Sequence, residues 1–403
     1  MQTNIAQDIL DTIDGAEANR ILRSCVHCGF CTATCPTYQE LGDELDGPRG
    51  RIYLIKDMLE GGEVSEKTQQ HLDKCLSCRA CETTCPSGVE YAHLAEIGKN
   101  MVEEKVGRSW SQSVLRWLLR KILPNAPIFA AFMAVGRVFR PVLPQILQQK
   151  IPKAKKVVAY PQQQHARQIL LIEGCVQPTM SPEIDVATAH VLDKLGIETW
   201  RTQQAQCCGA VENHLHAKEA GLQRIRANID AWLPFVDDGA EAIISTASAC
   251  ALEIKEYAYL LRNDAEYAEK AAIISAKAKD IVEVLSAENL SDFHITTPKR
   301  IAFHAPCTLQ HGQKLNGSVE GVLSSLNYTL LPVQDGHLCC GSAGTYSILQ
   351  PELSQTLRDN KLRSLSKDTP EIIATANIGC LHHMQAGTDI PVQHWIMLLQ
   401  ADG

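Results

Sequence analysis

The sequence predicts a multidomain chain, all-α at its N-terminus and α/β beyond it, with the α/β part duplicated. Three observations carry this. Helical periodicity surrounds two cysteine strings in the first hundred residues, short apolar strands alternate with helices from about residue 165, and a four-cysteine pattern recurs within that second part. At 403 residues the length suits two to four domains, and a composition of 45% hydrophobic but only 5% aromatic residues implies cores built from aliphatic side chains.

Residues 1–24 read as one helix, with Ile5, Ile9, Ile13, Ile21 and Leu22 at its apolar positions. A second helical pattern runs through Ile52, Leu54, Ile55, Met58 and Leu59 and stops at Gly61-Gly62; a third covers about 90–105. Between and before these helices lie Cys25-Cys28-Cys31-Cys35-Pro36 and Cys75-Cys78-Cys81-Cys85-Pro86, each spaced C-x2-C-x2-C-x3-C-P and offset by fifty residues at every cysteine. That is the spacing of a two-cluster ferredoxin, in which thiolates hold cubane [4Fe–4S] centres. The short gaps aim three sulfurs at one cube, and the fourth, ahead of a proline that turns the chain, points to the other. Cys25, Cys28, Cys31 and Cys85 are therefore expected on one cluster and Cys75, Cys78, Cys81 and Cys35 on the other.

Structural zinc prefers two pairs of ligands, and a disulfide framework suits small secreted chains. The first thirty residues contain no apolar export core, and reduced thiolates on iron imply a cytoplasmic setting. A small bacterial ferredoxin has a much shorter stretch between its strings, so the forty helical residues here make 1–108 an α-helical 2[4Fe-4S] ferredoxin domain.

A basic stretch follows at 109–165. From Lys105 to Ile172 there are twelve lysines and arginines and no Asp or Glu, although the whole chain carries a formal charge of −8. Trp110, Leu115, Trp117, Leu118, Leu119, Ile122 and Leu123 lead up to Pro124, and an apolar run covers Ile128 to Val135. That run is short of the ~20 residues a spanning helix needs, so no spanning helix is expected. Prolines at 124, 127, 141, 144 and 152 interrupt the stretch. Its readings are an amphipathic element on an anionic membrane surface, a docking face for an acidic partner, or a solvated linker; the first two are favoured by the basic residues beside Trp and Leu.

Two α/β repeats are expected at 166–290 and 298–403. The first reads as strand 168–173 ending at Cys175, helix 183–195, strand 197–201, Cys207-Cys208-Gly209, helix 213–232 and strand 242–246 ending near Cys250. The second reads as strand 301–304 ending at Cys307, Cys339-Cys340-Gly341, helix 352–366 and strand 372–375 ending near Cys380. Corresponding cysteines lie 132 residues apart, or 130 for Cys250 and Cys380. Loops at the carboxyl ends of parallel strands are where such sheets bind ligands, and glycine after the paired cysteines lets the backbone approach a bulky group. These eight cysteines are further candidate ligands for a cluster or metal; buried apolar thiols are the alternative reading.

The repeats resemble the cysteine-rich CCG domain of heterodisulfide reductase subunits, of the third subunit of anaerobic glycerol-3-phosphate dehydrogenase and of lactate-utilisation proteins. With the helical ferredoxin, the whole chain is similar to the iron–sulfur subunits of glycolate oxidase. Cys25 to Tyr53, the segment around Cys307 (FHAPCTLQHGQKLNG) and Cys339 to Tyr346 (CCGSAGTY) carry that closer match. The resemblance implies an electron carrier in a 2-hydroxy-acid dehydrogenase complex. Flavoprotein subunits would hold FAD and oxidise glycolate to glyoxylate, and electrons would pass through two clusters to a quinone pool at the cytoplasmic face of the inner membrane, where this chain would sit peripherally. No residue of this chain is then expected to be catalytic, and no nucleic acid to be a partner. Lactate or glycerol-3-phosphate as substrate, and a heterodisulfide-reductase-like thiol–disulfide enzyme, are the alternatives.

One departure stands out. The full heterodisulfide-type motif ends in C-x-x-C, but the residue three after Cys250 is Glu253 and three after Cys380 is His383, so each repeat is one thiolate short. The disulfide-reducing chemistry is not carried over. A single conventional cluster per repeat, one of them using His383, and a structural or docking role both stay open. Among other candidates, His27 either borders a cluster or is solvated, and Arg49 and Arg51 either offset cluster charge or pair with carboxylates. His304, His311 and His337 read as satisfied loop histidines before they read as ligands. No G-x-G-x-x-G, Ser-His-Asp set or HExxH is present, which places the substrate chemistry on another subunit.

Overall fold

The computed structural model describes residues 1–400 apart from 143, 145–147, 149, 150, 155, 156, 205, 294 and 297; Lys150, Lys155 and Lys156 of the basic stretch thus lie outside the described residues. The first expected helix is two, Gln7–Leu10 and Ile13–Ser24. Thr12 divides them: its backbone is extended and its hydroxyl accepts from Gly15 N–H, capping the second helix. Ile13–Ser24 packs with Pro48–Leu59, which starts at a proline in its first turn, and with Tyr91–Val106. Leu22, Ile55, Leu59, Leu72 and Leu94 are fully buried between them, so the helices between the cysteine strings, with those flanking them, form the core that holds both.

Helices Trp110–Ile122 and Ala126–Phe139 follow, bent through 105° about the Pro124 break. Leu119, Phe129 and Met133 face inward, while Trp110, Trp117, Ile128, Phe132, Val135 and Phe139 are exposed. Among the described residues no single helix is long and apolar enough to cross a membrane.

Each repeat builds a four-stranded parallel sheet. Strands β1 (Arg167–Ile172), β2 (Ile197–Trp200), β3 (Ile243–Ser245) and β4 (Ala278–Asp280) lie in the order β2-β1-β3-β4. Strands β5 (Arg300–His304), β6 (Thr329–Leu330), β7 (Ile372–Thr375) and β8 (Val392–His394) repeat it as β6-β5-β7-β8. Strands β4, β6 and β8 have three residues or fewer, too short to leave a periodic signal. The expected helix at 213–232 is also split, into Ala210–His214 and Lys218–Asp237, at a turn where His216 is left-handed (φ +60°).

The two repeats share one core. Ile169, Leu171 and Ile244 of the first sheet cluster with Ile301 and Ile373 of the second and with Trp395, just after β8. The seam is also hydrogen-bonded: Ser248 N–H donates to Ala376 O (3.1 Å) and Gln313 Nε2 to Ser248 O (3.0 Å).

The helical domain docks on both repeats. Arg79 and His93 converge on Glu256 at 2.8 and 2.7 Å, and the His93 ring stacks on Tyr259 at 3.7 Å. On the other side Tyr346 Oη donates to Lys74 O (3.1 Å), and Thr83 Oγ1 lies 2.7 Å from His311 Nδ1. Burial alone would raise the Glu256 pKa, but its bond to His93 and the Arg79 charge outweigh this and hold it at about 2. A carboxylate depressed in this way stabilises the fold above its unfolded pKa of ~4.3 and loses that contribution as pH falls towards 2. Glu256→Ala leaves Arg79 largely buried without its counter-charge and should cost about 3 kcal/mol at pH 7, read as a lower urea midpoint under anaerobic conditions; an unchanged midpoint would show that this contact does not hold the domains together.

Candidate iron–sulfur sites

Both cysteine strings leave a helix or turn and coil around a small cavity. Cys25 caps the helix Ile13–Ser24, and the next turns use left-handed residues at His27 (φ 54°) and Gly29 (φ 84°). Fifty residues on, Ser77 (φ 52°) and Arg79 (φ 60°) repeat the conformation. Non-glycine residues in this region are costly and tend to persist at ligand sites, where alternating handedness turns backbone amides to one side. Ser77 N–H, for example, approaches Cys75 Sγ at 3.4 Å. Each string then ends ahead of its proline, Cys35 starting the helix Pro36–Leu41 and Cys85 closing Ala80–Thr84.

The result is two adjacent cysteine-lined cavities. Cys25, Cys28, Cys31, Cys81 and Cys85 line one, together with His27, Arg49 and Tyr91. Cys35, Cys75, Cys78 and Cys81 line the other, with Arg51 and Tyr91. Three thiols of one string thus meet the fourth of the other, and Cys81 borders both. The donor chemistry suits iron–sulfur clusters, which take sets of four cysteine thiolates and tolerate such partly apolar walls. Neither string brings three ligand atoms close enough for a single ion; among the described residues such trios occur at His304, Cys340 and Cys380 and at Asp43, Asp46 and His71.

The surroundings differ between the cavities. His27 is not solvated: both ring nitrogens are buried without partners and the ring lies 4.4 Å from that of Tyr53. Arg49 is bonded to Glu44 at 2.6 Å. Arg51, only 1% exposed, donates Nε to His71 O and its other nitrogens to Thr37, placing a cation beside Cys75 and Cys35. Lys99 Nζ donates to Cys75 O at 3.1 Å and Tyr91 Oη lies 3.8 Å from Cys75 Sγ. Burial pushes the Cys78 and Cys81 thiols well up and Cys31 up to about 11. At Cys75 burial acts the same way, but Lys99 and Arg51 outweigh it and hold the thiol below its usual range. Sequence reasoning missed Lys99, which lies twenty-four residues from Cys75 with no motif linking them.

In the repeats the cysteines again gather at strand ends. Cys175, Cys207, Cys208 and Cys250 lie side by side, and Tyr257 Oη and Asn228 Nδ2 donate to the carbonyls of Cys208 and Cys207 at 2.8 Å each. In the second repeat Cys307 and Cys339 lie 3.9 Å apart, with Cys340 and Cys380 beside them. The glycines after the cysteine pairs serve the fold. Gly341 is left-handed (φ +82°) and a side chain there would meet Ser354 O at 2.4 Å, while Gly209 (φ +97°) packs on Ile225.

The expectation for His383 changes: its Nε2 is bonded to Ser354 (3.2 Å), and the histidine grouped with Cys340 and Cys380 is His304, driven by burial to a pKa of about 3 and so neutral. His311 is satisfied, with Nε2 2.8 Å from His337 O. Glu253, in place of the missing first-repeat thiol, is bonded to Asn213 and pushed up to about 8 by burial.

The second set opens on the helical domain. Cys307, Cys339, Cys340 and Cys380 line a large inter-domain cavity with Cys75, Lys99, Arg116, His214 and His216. Leu76 and Cys78 pack directly on Cys307, Cys339 and Tyr346.

The 4Fe-4S dicluster domain family matches residues 21–89, and the cysteine-rich domain family matches 169–255 and 301–385. Over 99% of its length the chain is 54% identical to the glycolate oxidase iron–sulfur subunit of Escherichia coli, covering 98% of that protein. The chain belongs to the family of glycolate oxidase iron–sulfur subunits. In this family it is an electron-transfer, iron–sulfur protein. The probable glycolate oxidase iron–sulfur subunit of Bacillus subtilis is 30% identical over 91% of this chain and 89% of its own. Lactate utilization protein A of Geobacillus thermodenitrificans is 27% identical over 56% of this chain and 95% of its own.

Positive charge beside a ligand thiolate favours the reduced, more negative state of the centre it holds. Lys99→Met should therefore move one of two reduction potentials to more negative values and leave the other in place. EPR-monitored redox titration reads this directly, and two unmoved potentials would remove Lys99 from that role.

Proposed function

We propose that this chain relays electrons within a glycolate-oxidising complex, from a flavoprotein subunit that forms glyoxylate towards a quinone. One observation carries the reading: the two cysteine-lined cavities adjoin and share Cys81. When bound, [4Fe–4S] clusters supply one-electron carriers, the chemistry needed to divide a two-electron donor's output. Cys25, Cys28, Cys31 and Cys85 would hold one cluster and Cys35, Cys75, Cys78 and Cys81 the other. The chain's own residues set the direction. Cys28 is exposed, and Val26, Phe30 and Tyr53 around it are 66%, 60% and 52% exposed, an apolar rim suited to a partner subunit. The Cys75 side is buried against the second repeat, with Arg51 and Lys99 supplying positive charge. Electrons would enter at the open side and leave from the closed one.

Attachment to the membrane falls to the bent helix pair. Ile128, Phe132, Val135 and Phe139 form an exposed stripe at helical spacing, opposite the buried Phe129 and Met133. Trp110 and Trp117 extend the apolar surface, and Arg120, Lys121, Arg137 and Arg140 flank it without a single acidic residue. Such a face suits an anionic lipid surface, the cytoplasmic leaflet in this reading.

Cys28→Ser should abolish transfer from glycolate to an acceptor downstream of the clusters in the assembled complex while flavin reduction by glycolate persists. Phe30→Glu should weaken capture of the flavoprotein with cluster content intact. Unimpaired transfer in the first variant, or unimpaired capture in the second, would count against the path.

Co-sedimentation with vesicles containing phosphatidylglycerol tests the attachment. Binding should fall in phosphatidylcholine vesicles and in a Phe132→Asp, Phe139→Asp double variant. Equal binding in all three cases would reassign the face to a protein partner.

A further inference from the structure

His304 ends β5 and Thr375 ends β7, and the two are in register on neighbouring strands. The position is the carboxyl end of the sheet where strand order reverses, the usual crevice for ligands in such sheets. The imidazole is 2% exposed; Nδ1 lies 3.0 Å from Thr375 Oγ1, and Nε2 is buried with no hydrogen-bond partner. A buried polar atom left unsatisfied has lost its water for nothing, a penalty that a ligand at that nitrogen would remove. The ligand atoms of His304, Cys340 and Cys380 all lie within 4.8 Å of one another.

We propose that His304, Cys340 and Cys380 hold a single divalent ion, zinc, in the second repeat. The spacing decides against a cube at these three residues. Bonds of about 2.0 Å to nitrogen and 2.3 Å to sulfur put tetrahedral donors some ~3.3–3.8 Å apart, and the trio is already gathered near that scale. Neither cysteine string of the helical domain brings three donors so close. Thr375 supplies the outer contact that metal-binding histidines need: with Nδ1–H donated to its hydroxyl, Nε2 presents a lone pair. Two thiolates and an imidazole form a set that zinc favours, and the fourth position is left to Cys339 or to the inter-domain cavity, which Cys340 and Cys380 also line.

The first repeat is an internal control. Its sheet puts Ile172 in register with Ser245 where the second has His304 with Thr375, and isoleucine offers no donor. The charge differs likewise. Lys361 is 4% exposed, with Nζ on the carbonyls of Asp335 (2.7 Å) and Gly336, and its cation lies close to Cys339 and Cys340. Gly209 packs on Ile225 as Gly341 packs on Leu357, and the same 132-residue offset pairs Lys361 with the fully buried Ile229. The duplication has kept four thiols in each copy but placed the imidazole and the buried lysine in the second, whereas the cation near Cys207 in the first is Arg224, paired with Glu212 at 2.7 Å.

Metal analysis of the full chain, purified anaerobically from zinc-supplemented medium, tests this. About one zinc per chain is expected beside the iron. His304→Ile, which installs the first repeat's residue, should lower zinc about tenfold while iron content and the reduced-state EPR spectrum stay unchanged; His304→Cys should restore it. Cobalt added to zinc-depleted wild-type chain should give tetrahedral thiolate-to-cobalt absorption, a readout that does not depend on any variant folding. No zinc in the wild type, zinc unchanged in His304→Ile, no cobalt spectrum, or loss of iron in place of zinc would each overturn the assignment.

Discussion

Each cysteine string closes the cavity begun by the other, and the rest of the molecule is arranged around that reciprocity. Cys85 must reach the cavity of the first string and Cys35 that of the second, so the chain between them has to be rigid and of fixed length. The helices Pro48–Leu59 and Tyr91–Val106 provide this through a core of fully buried aliphatic residues. The left-handed residues at 27, 29, 77 and 79 are the local counterpart of the same demand. A loop curled tightly enough to face several groups inward cannot avoid sterically disfavoured backbone, and only the cavity contents make that worthwhile.

The cysteine spacing was legible because ligands to one cluster are mostly close in sequence, and strands β1, β3, β5 and β7 were legible as apolar runs ending at a cysteine. What stayed hidden was short or remote. Strands β4, β6 and β8 are held by pairing with longer neighbours, not by their own pattern. Thr12 splits a helix because an N-cap bond competes with continued helical periodicity there. Lys99 and Tyr91 reach the Cys75 side from a helix whose apolar periodicity says nothing of where its polar residues end up, whereas Arg51, a candidate from its place after the first string, does lie beside Cys75. His383 looked like the substitute for a missing thiolate from its place in a motif. The sheet instead brings His304 to the cysteines, since register across strands and not distance along the chain decides which side chains meet.

The two repeats show how a duplicated fold separates its duties. They bury one continuous core, so neither copy could be lost without exposing the other's apolar face. Freed from identical roles, the thiols of the first are surrounded by Ile172, Ile229, Tyr257 and Asn228, whereas those of the second meet His304 and Lys361 and open towards the helical domain. The polar seam at Ser248, Thr308 and Gln313 keeps the sheets in fixed relation, so this asymmetry is presented always in the same direction.

The packing of Leu76 and Cys78 beneath Tyr346, Leu357 and Cys339 makes the two cavities unequal in access. With the second repeat settled there, Cys75 and Cys78 are half-buried and Cys75 is reached through the inter-domain cavity that it lines, while Cys28 leaves the other cavity open to solvent. The two cavities are thereby reached by different routes, the outer one directly from solvent and the inner one by way of the space between the domains.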